Sequence, residues 1–446
     1  MSPISRQMHM GVFVLGTGNH SVGWRYEGAA TSHMQLPIMQ EIARIAERGK
    51  FDLLFISDSM VMEPTDHPSF MCRFEPTTLI TALSASTTHI GLGATVSTSF
   101  SEPFNVARVF GSIDHISGGR AAWNVVTSSN PKAALNFNRD EHIEHELRYQ
   151  RANEFVDVVR GLWDCWDDGA IVADKATGRY IDPDKVRPLN HKGRFFQVKG
   201  PLNMARCPQG HPVIIQAGGS PSGLDLAART ADVVFSVVQD LEAARIAYAD
   251  LKGRMTRYGR SPDELAVLPG VMPIIGASDA EARETLAKLQ SWLTPTNAAT
   301  LVASRIGYDV SGHPLDGPVP PPPPFQGSRT FSHVLYETAQ REKMTLRDLY
   351  NLTAAARGHW VVCGTPQRVA DTLEEWFTGH AADGFNILPP YFPGAFADFV
   401  DLVVPELQCR GLFRRDYQGT TLRDHFGLLR VPPPIAPREA AGGAQL

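Results

Sequence analysis

Cysteine is scarce in this chain, and the few cysteines form no recognisable pair. The 446 residues include five of them, Cys72, Cys165, Cys207, Cys363 and Cys409. They are widely spaced, odd in number and never arranged as C-x-x-C, which argues against a disulfide framework and against a zinc site. This usage fits a reducing compartment, so we expect a cytoplasmic protein.

Long apolar runs and basic stretches are also lacking. No apolar run reaches about 18 residues, the length that spans a bilayer. The short run Met8–Leu15 is broken by glycine and predicts a first strand, not a signal peptide. Lys and Arg number 42 against 47 Asp and Glu, a net charge of -5, and no basic segment alternates with aromatic residues. We therefore expect neither a membrane nor a nucleic acid as partner.

Short β-rich runs alternate with amphipathic runs through most of the chain, which is typical of βα units around a parallel sheet. The eight predicted strands are Met8–Leu15, Phe51–Ser57, Ile90–Ser97, Arg120–Thr127, Val213–Ala217, Asp232–Val237, Val267–Ile275 and Gly384–Leu388. The predicted helices are Pro37–Arg48, Thr77–Thr88, Asn105–Ile116, Tyr149–Trp163, Asp240–Arg257 and Asp279–Trp292. Eight such units predict an α/β fold, a (β/α)8 TIM barrel with loop insertions. An open doubly wound sheet is the alternative, disfavoured because no strand is followed at once by G-x-G-x-x-G.

Two segments interrupt the βα rhythm, at about 165–210 and about 295–357. The first, Cys165–Gly210, has little periodicity and many turn residues. In the second, Pro295–Phe331 reads as a long loop whose run Pro318–Pro324 predicts polyproline II. Segments of this length act either as lids or as surface spacers, and both remain open. We predict a single domain over 1–431, with 432–446 as a disordered tail.

Polar residues follow several of the predicted strands, at the end where barrels of this type carry their functional groups. They are Asp58, Thr98, Asn124 and Ser128, together with the exit of the first strand, Asn19–Arg25. Each of them is equally suited to cap a helix or form a turn, so none defines a site alone.

The loop AGGSPSG, Ala217–Gly223, follows a strand and opens a helix. Its glycines let the backbone approach a ligand, and the helix-start amides with the Ser220 hydroxyl suit a phosphate. A helix-capping turn without any ligand is the alternative. His145 and Tyr149 are four residues apart and share one helix face. A zinc site at His142 and His145 is disfavoured because no third ligand accompanies them, and we predict no metal.

Seven strings, taken together and in this order, resemble the bacterial luciferase-like flavin monooxygenases, in the group that contains nitrilotriacetate monooxygenase and dibenzothiophene sulfone monooxygenase. They are ERGKFDLLFISDS at Glu47–Ser59, IGLGATVSTSF at Ile90–Phe100, FGSIDHISGGRAAWNVVTS at Phe110–Ser128, HELRYQRANEF at His145–Phe155, VIIQAGGSPSG at Val213–Gly223, ADGFNILPP at Ala382–Pro390 and YQGTTLRDHFGL at Tyr417–Leu428. Each string is weak alone, and their order makes the resemblance specific.

The resemblance implies a barrel that receives reduced FMN from a separate NAD(P)H:flavin reductase and uses O2 to insert one oxygen atom into a small organic substrate. A homo-oligomer, dimer or tetramer, is also expected. Carried over by position, the cofactor-binding residues are Asp58 and Thr95 near the isoalloxazine ring, Asn124 at its polar edge, and His145, Tyr149, Gly219 and Ser220 along the ribityl chain and phosphate.

The candidate catalytic residues are His20, Trp24 and Asn124. The candidate pocket residues are His20, Trp24, Met60, Phe70 and Phe100, for which core or loop packing is the alternative. The loop after Asp58 differs from that of the sulfone enzymes, so their substrate cannot be carried over.

Two rival functions remain. One is deazaflavin-dependent hydride transfer on the same fold, and the other is a flavin-binding barrel without catalysis. The strings WNVVTS and RYQRANEF favour the monooxygenase.

Overall fold

The computed structural model describes residues 6–32, 34–62, 67–306, 309–321 and 329–433. Its strands are β1 (His9–Val14), β2 (Leu53–Ile56), β3 (Gly91–Ser97), β4 (Ala121–Val126), β5 (Ile171–Asp174), β6 (Arg179–Ile181), β7 (His191–Lys192), β8 (Gln197–Val198), β9 (Val213–Gln216), β10 (Val233–Ser236), β11 (Ala266–Ile275), β12 (Trp360–Gly364) and β13 (Gly384–Ile387).

The helices around these strands are α1 (Leu36–Arg48), α2 (Pro68–Met71), α3 (Pro76–Ser84), α4 (Pro103–Ser117), α5 (His145–Trp163), α6 (Pro221–Thr230), α7 (Leu241–Met255), α8 (Asp279–Ser291), α9 (Pro295–Ile306), α10 (Arg329–Arg341), α11 (Leu346–Ala356), α12 (Pro366–Thr378), α13 (Gly394–Asp398), α14 (Val404–Cys409) and α15 (Leu422–His425). A π-helical turn, Phe399–Val403, joins α13 to α14. No helix in the described ranges is both long and apolar enough to cross a membrane.

Eight parallel strands close into a barrel. They pair in the order β1, β2, β3, β4, β9, β10, β11 and β13, and β13 pairs with β1. The predicted TIM barrel is confirmed, and all eight predicted strands occur. The prediction missed β12, which pairs with Val271–Ile275, the carboxyl-terminal half of β11. Its short apolar run, WVVCG, lies directly after the insertion at about 295–357, where the regular βα rhythm is interrupted.

Side chains of the strands alternate between two cores. On β1, Val12 and Val14 pack against the surrounding helices, whereas Phe13 and the next residue but one, Leu15, which directly follows the strand, belong to a second cluster inside the barrel. This is the alternation expected of a pleated strand. The segment Leu422–Leu428 supplies three apolar side chains to the inner cluster and closes the amino-terminal end, where Leu422 packs on Gly91. The opposite end, at which the strands finish, is left for a site.

The insertion between β11 and β12 is helical, which corrects the predicted long loop over Pro295–Phe331. Within α9, Ala299, Val302 and Ile306 are buried in a small core of their own, shared with α10 and α11. Their spacing is that of a helix face, and the neighbouring proline run hid it. Pro318 forms a β-bridge with Thr345, and residues 322–324 of the proline run lie outside the described residues.

The other predicted boundaries vary in accuracy. The segment 165–210 is irregular as expected, but it contains two small hairpins, β5–β6 and β7–β8. The helix predicted at Thr77–Thr88 ends earlier, at Ser84, and its first turn is capped by the Glu75 carboxylate, which accepts from the Thr77 and Thr78 amides. Most of the predicted tail, 434–446, lies outside the described residues. The single-domain assignment stays a prediction.

Candidate active site

A chain of hydrogen bonds joins the ends of three neighbouring strands. The Asn124 amide on β4 donates from Nδ2 to Thr95 Oγ1 on β3 at 2.9 Å, and Thr95 Oγ1 donates to the Ile56 carbonyl on β2 at 2.9 Å. Both side chains are buried, and Asn124 Oδ1 has no hydrogen-bond partner among the described residues. Leaving such a group unsatisfied costs about 1–3 kcal/mol. This oxygen is therefore suited to accept a hydrogen bond from a ligand.

Asp58 lies two residues beyond the end of β2, on the same side of the barrel. Its Oδ1 accepts from the Ser59 amide at 2.8 Å, and burial raises the pKa of its carboxyl above the usual range. The nearby positive charge of Arg73 partly opposes that shift. Among the described contacts Asp58 makes no direct hydrogen bond to Thr95 or Asn124, so it is not part of their hydrogen-bonded chain.

A second polar cluster surrounds Gly218, after β9. Its amide donates to Gln216 Oε1 at 2.6 Å. A β-carbon built on Gly218 would lie 2.7 Å from Gln216 Nε2 and 2.9 Å from the Tyr149 hydroxyl, so three elements meet at this glycine. The His145 ring lies 5.0 Å from that of Tyr149. The predicted residues His145 and Tyr149 and the glycine loop thus lie together. Gln216 was not predicted, although a polar residue at the end of an otherwise apolar, buried strand is a pattern that could have indicated it.

The starts of α5 and α6 face each other at this second cluster. Ser220 caps α6, and its Oγ accepts from the Gly223 amide at 3.2 Å. Ser222 Oγ donates to the Glu146 carboxylate in the first turn of α5 at 2.8 Å. The amides that open α5 are already capped by the Glu144 carboxylate, so the start of α6 is the helix end whose positive potential favours an anion such as a phosphate.

His20 and Trp24 lie in the loop that follows β1, and no described hydrogen bond joins their side chains to either cluster. The Val22 amide donates to His20 Nδ1 at 3.3 Å, so the neutral ring carries its proton on Nε2. Burial lowers the pKa of His20 to about 3. His20 Nε2 and Trp24 Nε1 are both buried without a hydrogen-bond partner among the described residues. The loop is fixed to the exit of β13 by a bond from the His20 amide to the Pro390 carbonyl at 3.1 Å.

The remaining pocket candidates differ in their surroundings. Phe100 stacks on Phe137 with ring centres 4.6 Å apart and on His142 at 5.7 Å, which supports its packing role. Phe70 packs against the inner cluster of the barrel. His142 Nε2 bonds to the Ser128 carbonyl at 2.7 Å. Across the part of the chain that the structure describes, no three His, Cys, Asp or Glu side chains are grouped so that they could hold a metal ion.

The amino-acid sequence that forms this barrel and its polar clusters matches a known family. The model of the luciferase-like monooxygenases covers residues 8–383. The chain belongs to this family. The resemblance predicted from the seven strings is therefore confirmed.

Several relatives share nearly the whole length of this luciferase-like monooxygenase. N-acetyl-S-(2-succino)cysteine monooxygenase of Bacillus subtilis (strain 168) is 47% identical, and the match covers 96% of this chain and 98% of the relative. Nitrilotriacetate monooxygenase component A of Aminobacter aminovorans is 44% identical over 97% of this chain and 99% of the relative. Among solved structures, a riboflavin lyase with modified FMN and riboflavin has a TM-score of 0.85 and 30% identity, covering 94% of this chain and 96% of that one.

Proposed function

We propose that this chain is the oxygenating component of a two-component monooxygenase, which uses reduced FMN and O2 to insert one oxygen atom into a small organic substrate. The observation that supports this most directly is the unpaired, buried Oδ1 of Asn124, which faces inward at the end of β4. A hydrogen-bond donor on a ligand would satisfy it, and the amide-rich edge of an isoalloxazine ring offers one.

The residues present fit FMN at both of its ends. Asn124, held by Thr95, accepts from the ring edge. The Ser220 hydroxyl, the amides that open α6 and the Tyr149 hydroxyl donate to the phosphate. Gly218 and Gly219 keep side chains out of this position, and His145 lies beside the ribityl chain. FMN, when bound, supplies the electrons and the atom at which oxygen is activated.

The protein's own contribution is orientation, proton placement and the exclusion of water. His20 and Trp24 each present a buried N–H donor that can hold an oxygen atom of the substrate or of the reacting oxygen. Because His20 stays neutral, its Nε2 remains a hydrogen-bond donor and carries no charge. The apolar interior beneath the strand ends excludes water from the reacting atoms. We assign Asp58, whose carboxyl pKa is raised by burial, to the surroundings of the ring, as the family resemblance implies.

The partners follow from the same proposal. One relative is named as component A of its monooxygenase, which supports a second protein that supplies reduced flavin. We expect this second protein to be a separate NAD(P)H:flavin reductase. All five cysteines are free thiols, which fits a cytoplasmic location. The homo-oligomer remains a proposal. The first compound to try as substrate is the thioether acid named for the 47% identical relative, N-acetyl-S-(2-succino)cysteine.

Turnover should depend on an added reductase. We expect the purified chain with FMN and NADH alone to consume no oxygen, because no dinucleotide-binding motif follows any of its strands. Adding an unrelated flavin reductase should start product formation from the thioether acid. Chromatography measures the product, and an oxygen electrode measures the oxygen consumed. The control is the reductase without this chain. Steady NADH oxidation by the chain alone would contradict the two-component proposal, and it would favour an oxidoreductase that reduces its own flavin.

Ser220→Ala should weaken FMN binding by about 1–2 kcal/mol, because one hydrogen bond to a charged phosphate is lost. Ser220 also caps α6, so the matched control is Ser278→Ala: Ser278 caps α8 in the same way, with Oγ accepting from the Glu281 amide at 3.2 Å. Fluorescence titration should show a loss of FMN affinity only in the first variant, with riboflavin affinity little changed. An equal loss for riboflavin would show that Ser220 does not bind the phosphate.

A further inference from the structure

Three phenylalanine rings form an apolar floor inside the barrel, close to the strand ends. Phe13 on β1 lies 5.2 Å from Phe55 on β2 and 5.4 Å from Phe235 on β10, measured between ring centres, and Phe55 lies 6.0 Å from Phe235. All three are buried within the inner cluster. Each of the three lies one residue before the end of its strand, on the side of the barrel that carries the polar clusters.

A positive charge lies directly over this floor. The guanidinium carbon of Arg357 is 4.7 Å from the centre of the Phe13 ring. Arg357 follows the last turn of α11, the final helix of the insertion, and its amide donates to the Thr353 carbonyl at 2.9 Å. The helical insertion therefore delivers a cation into the barrel and does more than cover the surface.

The end of α11 is also fixed to the loop that carries His20. The amide and the hydroxyl of Ser21 both donate to the Ala354 carbonyl, at 2.8 and 3.2 Å. Ser21 is next to His20 in the chain, and Ala354 lies three residues before Arg357. These bonds therefore hold Arg357 on the same side of the barrel as the loop that carries the unpaired His20 Nε2.

A second nitrogen-bearing side chain shares the floor. The buried ring of His359 stacks on Phe235, with centres 4.8 Å apart and planes inclined by 8°. A β-carbon on Gly270 would lie 2.4 Å from His359 Nδ1, so the glycine makes room for this ring. Arg357 and His359 come from one short segment and both reach the aromatic floor.

We infer that Arg357 determines substrate specificity by binding a carboxylate, and that the substrate is a small organic acid whose apolar part rests on Phe13 and Phe235. This inference rests on the proposed function and names the substrate class of that site. The guanidinium fork matches a carboxylate with two parallel hydrogen bonds. The apolar floor strengthens this attraction, because a charge pair interacts more strongly in a low dielectric than in water. His359 and the loop of His20 border the same space.

The test compares Arg357→Gln and Arg357→Lys with a matched control, Arg347→Gln. Arg347 lies at the start of the same helix, is half exposed and pairs with Asp316 on the surface. The probes are N-acetyl-S-(2-succino)cysteine, which carries three carboxylates, and its uncharged trimethyl ester. Binding of each probe to flavin-free protein is measured by calorimetry, and KM is measured with reductase and FMN. FMN affinity and circular dichroism report whether each variant is folded.

We expect Arg357→Gln to weaken binding of the acid and raise its KM by about 10- to 100-fold, the range for a lost hydrogen bond to a charged group. The ester should be bound and turned over as in the parent protein, Arg357→Lys should recover part of the affinity for the acid, and Arg347→Gln should behave as the parent. If the glutamine variant does not fold, the comparison of acid with ester is made with Arg357→Lys instead.

The inference is overturned if the parent binds the acid no better than the ester, or if Arg357→Gln treats both probes as the parent does. In that case Arg357 only packs on Phe13. The proposed function fails separately: a protein that binds the acid through Arg357 but shows no reductase-dependent oxygenation of either probe would keep the carboxylate site and lose the monooxygenase activity.

Discussion

Gly218→Ala should weaken FMN binding by about 10- to 100-fold, the effect of forcing one methyl group into a filled space at a cost of about 1–3 kcal/mol. The new β-carbon would lie 2.7 Å from Gln216 Nε2, 2.9 Å from the Tyr149 hydroxyl and 3.2 Å from the α-carbon of Gly223. The two side-chain ends can move aside more easily than the backbone can. Their displacement takes the Tyr149 hydroxyl out of the proposed phosphate site.

The matched control is Gly253→Ala. Gly253 lies within α7, and a β-carbon there would meet no atom within 4 Å. Alanine should slightly stabilise that helix and leave FMN affinity as it was. Fluorescence titration gives the affinities, and thermal unfolding of the flavin-free proteins shows whether Gly218→Ala remains folded. If Gly218→Ala folds and binds FMN as tightly as the parent protein, the phosphate does not bind at this loop.

The barrel could be predicted because its evidence is local. Runs such as FDLLFIS are short, apolar and regularly separated by helix-period segments, and each βα unit repeats this pattern. The insertion could not be predicted in the same way. In α9 the helical spacing of Val302 and Ile306 is present, but the nearby proline run is typical of an extended loop, and the small core that stabilises α9 is completed by α10 and α11.

The candidate site was predictable in part for a related reason. Asn124 and Ser220 lie where a strand ends or a helix begins, which the sequence reveals. Their partners depend on which strands become neighbours. Thr95 is 29 positions from Asn124 along the chain, and their hydrogen bond exists only because β3 and β4 are paired in register. The contact between Arg357 and Phe13 is even harder to predict, because Arg357 follows a helix of the insertion and Phe13 lies on the first strand.

The unpaired nitrogens of His20 and Trp24 are also features that the sequence does not reveal. No sequence pattern shows that a side chain lacks a hydrogen-bond partner, since that requires the positions of all its neighbours. The sequence suggested both residues through the family resemblance, and the structure adds the physical property that makes them suitable donors. Whether they act in catalysis stays a prediction.

Acid should destabilise this protein through His20, by about 3–5 kcal/mol in total over the pH window set by its two pKa values. Burial lowers the pKa of His20 in the folded protein from its usual 6.5 to about 3. Above pH 6.5 the ring is neutral in both the folded and the unfolded chain. As the pH falls from 6.5 towards 3, the unfolded chain takes up a proton that the folded protein does not. The free energy of unfolding therefore decreases, by at most about 1.4 kcal/mol per pH unit.

His20→Gln removes this titration and keeps an amide that can accept from Val22. Its free energy of unfolding, measured by urea denaturation, should fall less steeply with acid than that of the parent, although the variant is less stable at neutral pH. His425 is a second buried histidine, whose pKa is lowered to about 4, and it contributes to the acid sensitivity of both proteins. The difference between their slopes therefore isolates His20. Parallel curves would mean that the pKa of His20 is not lowered in the folded protein, so that the ring would take up a proton in acid just as it does in the unfolded chain.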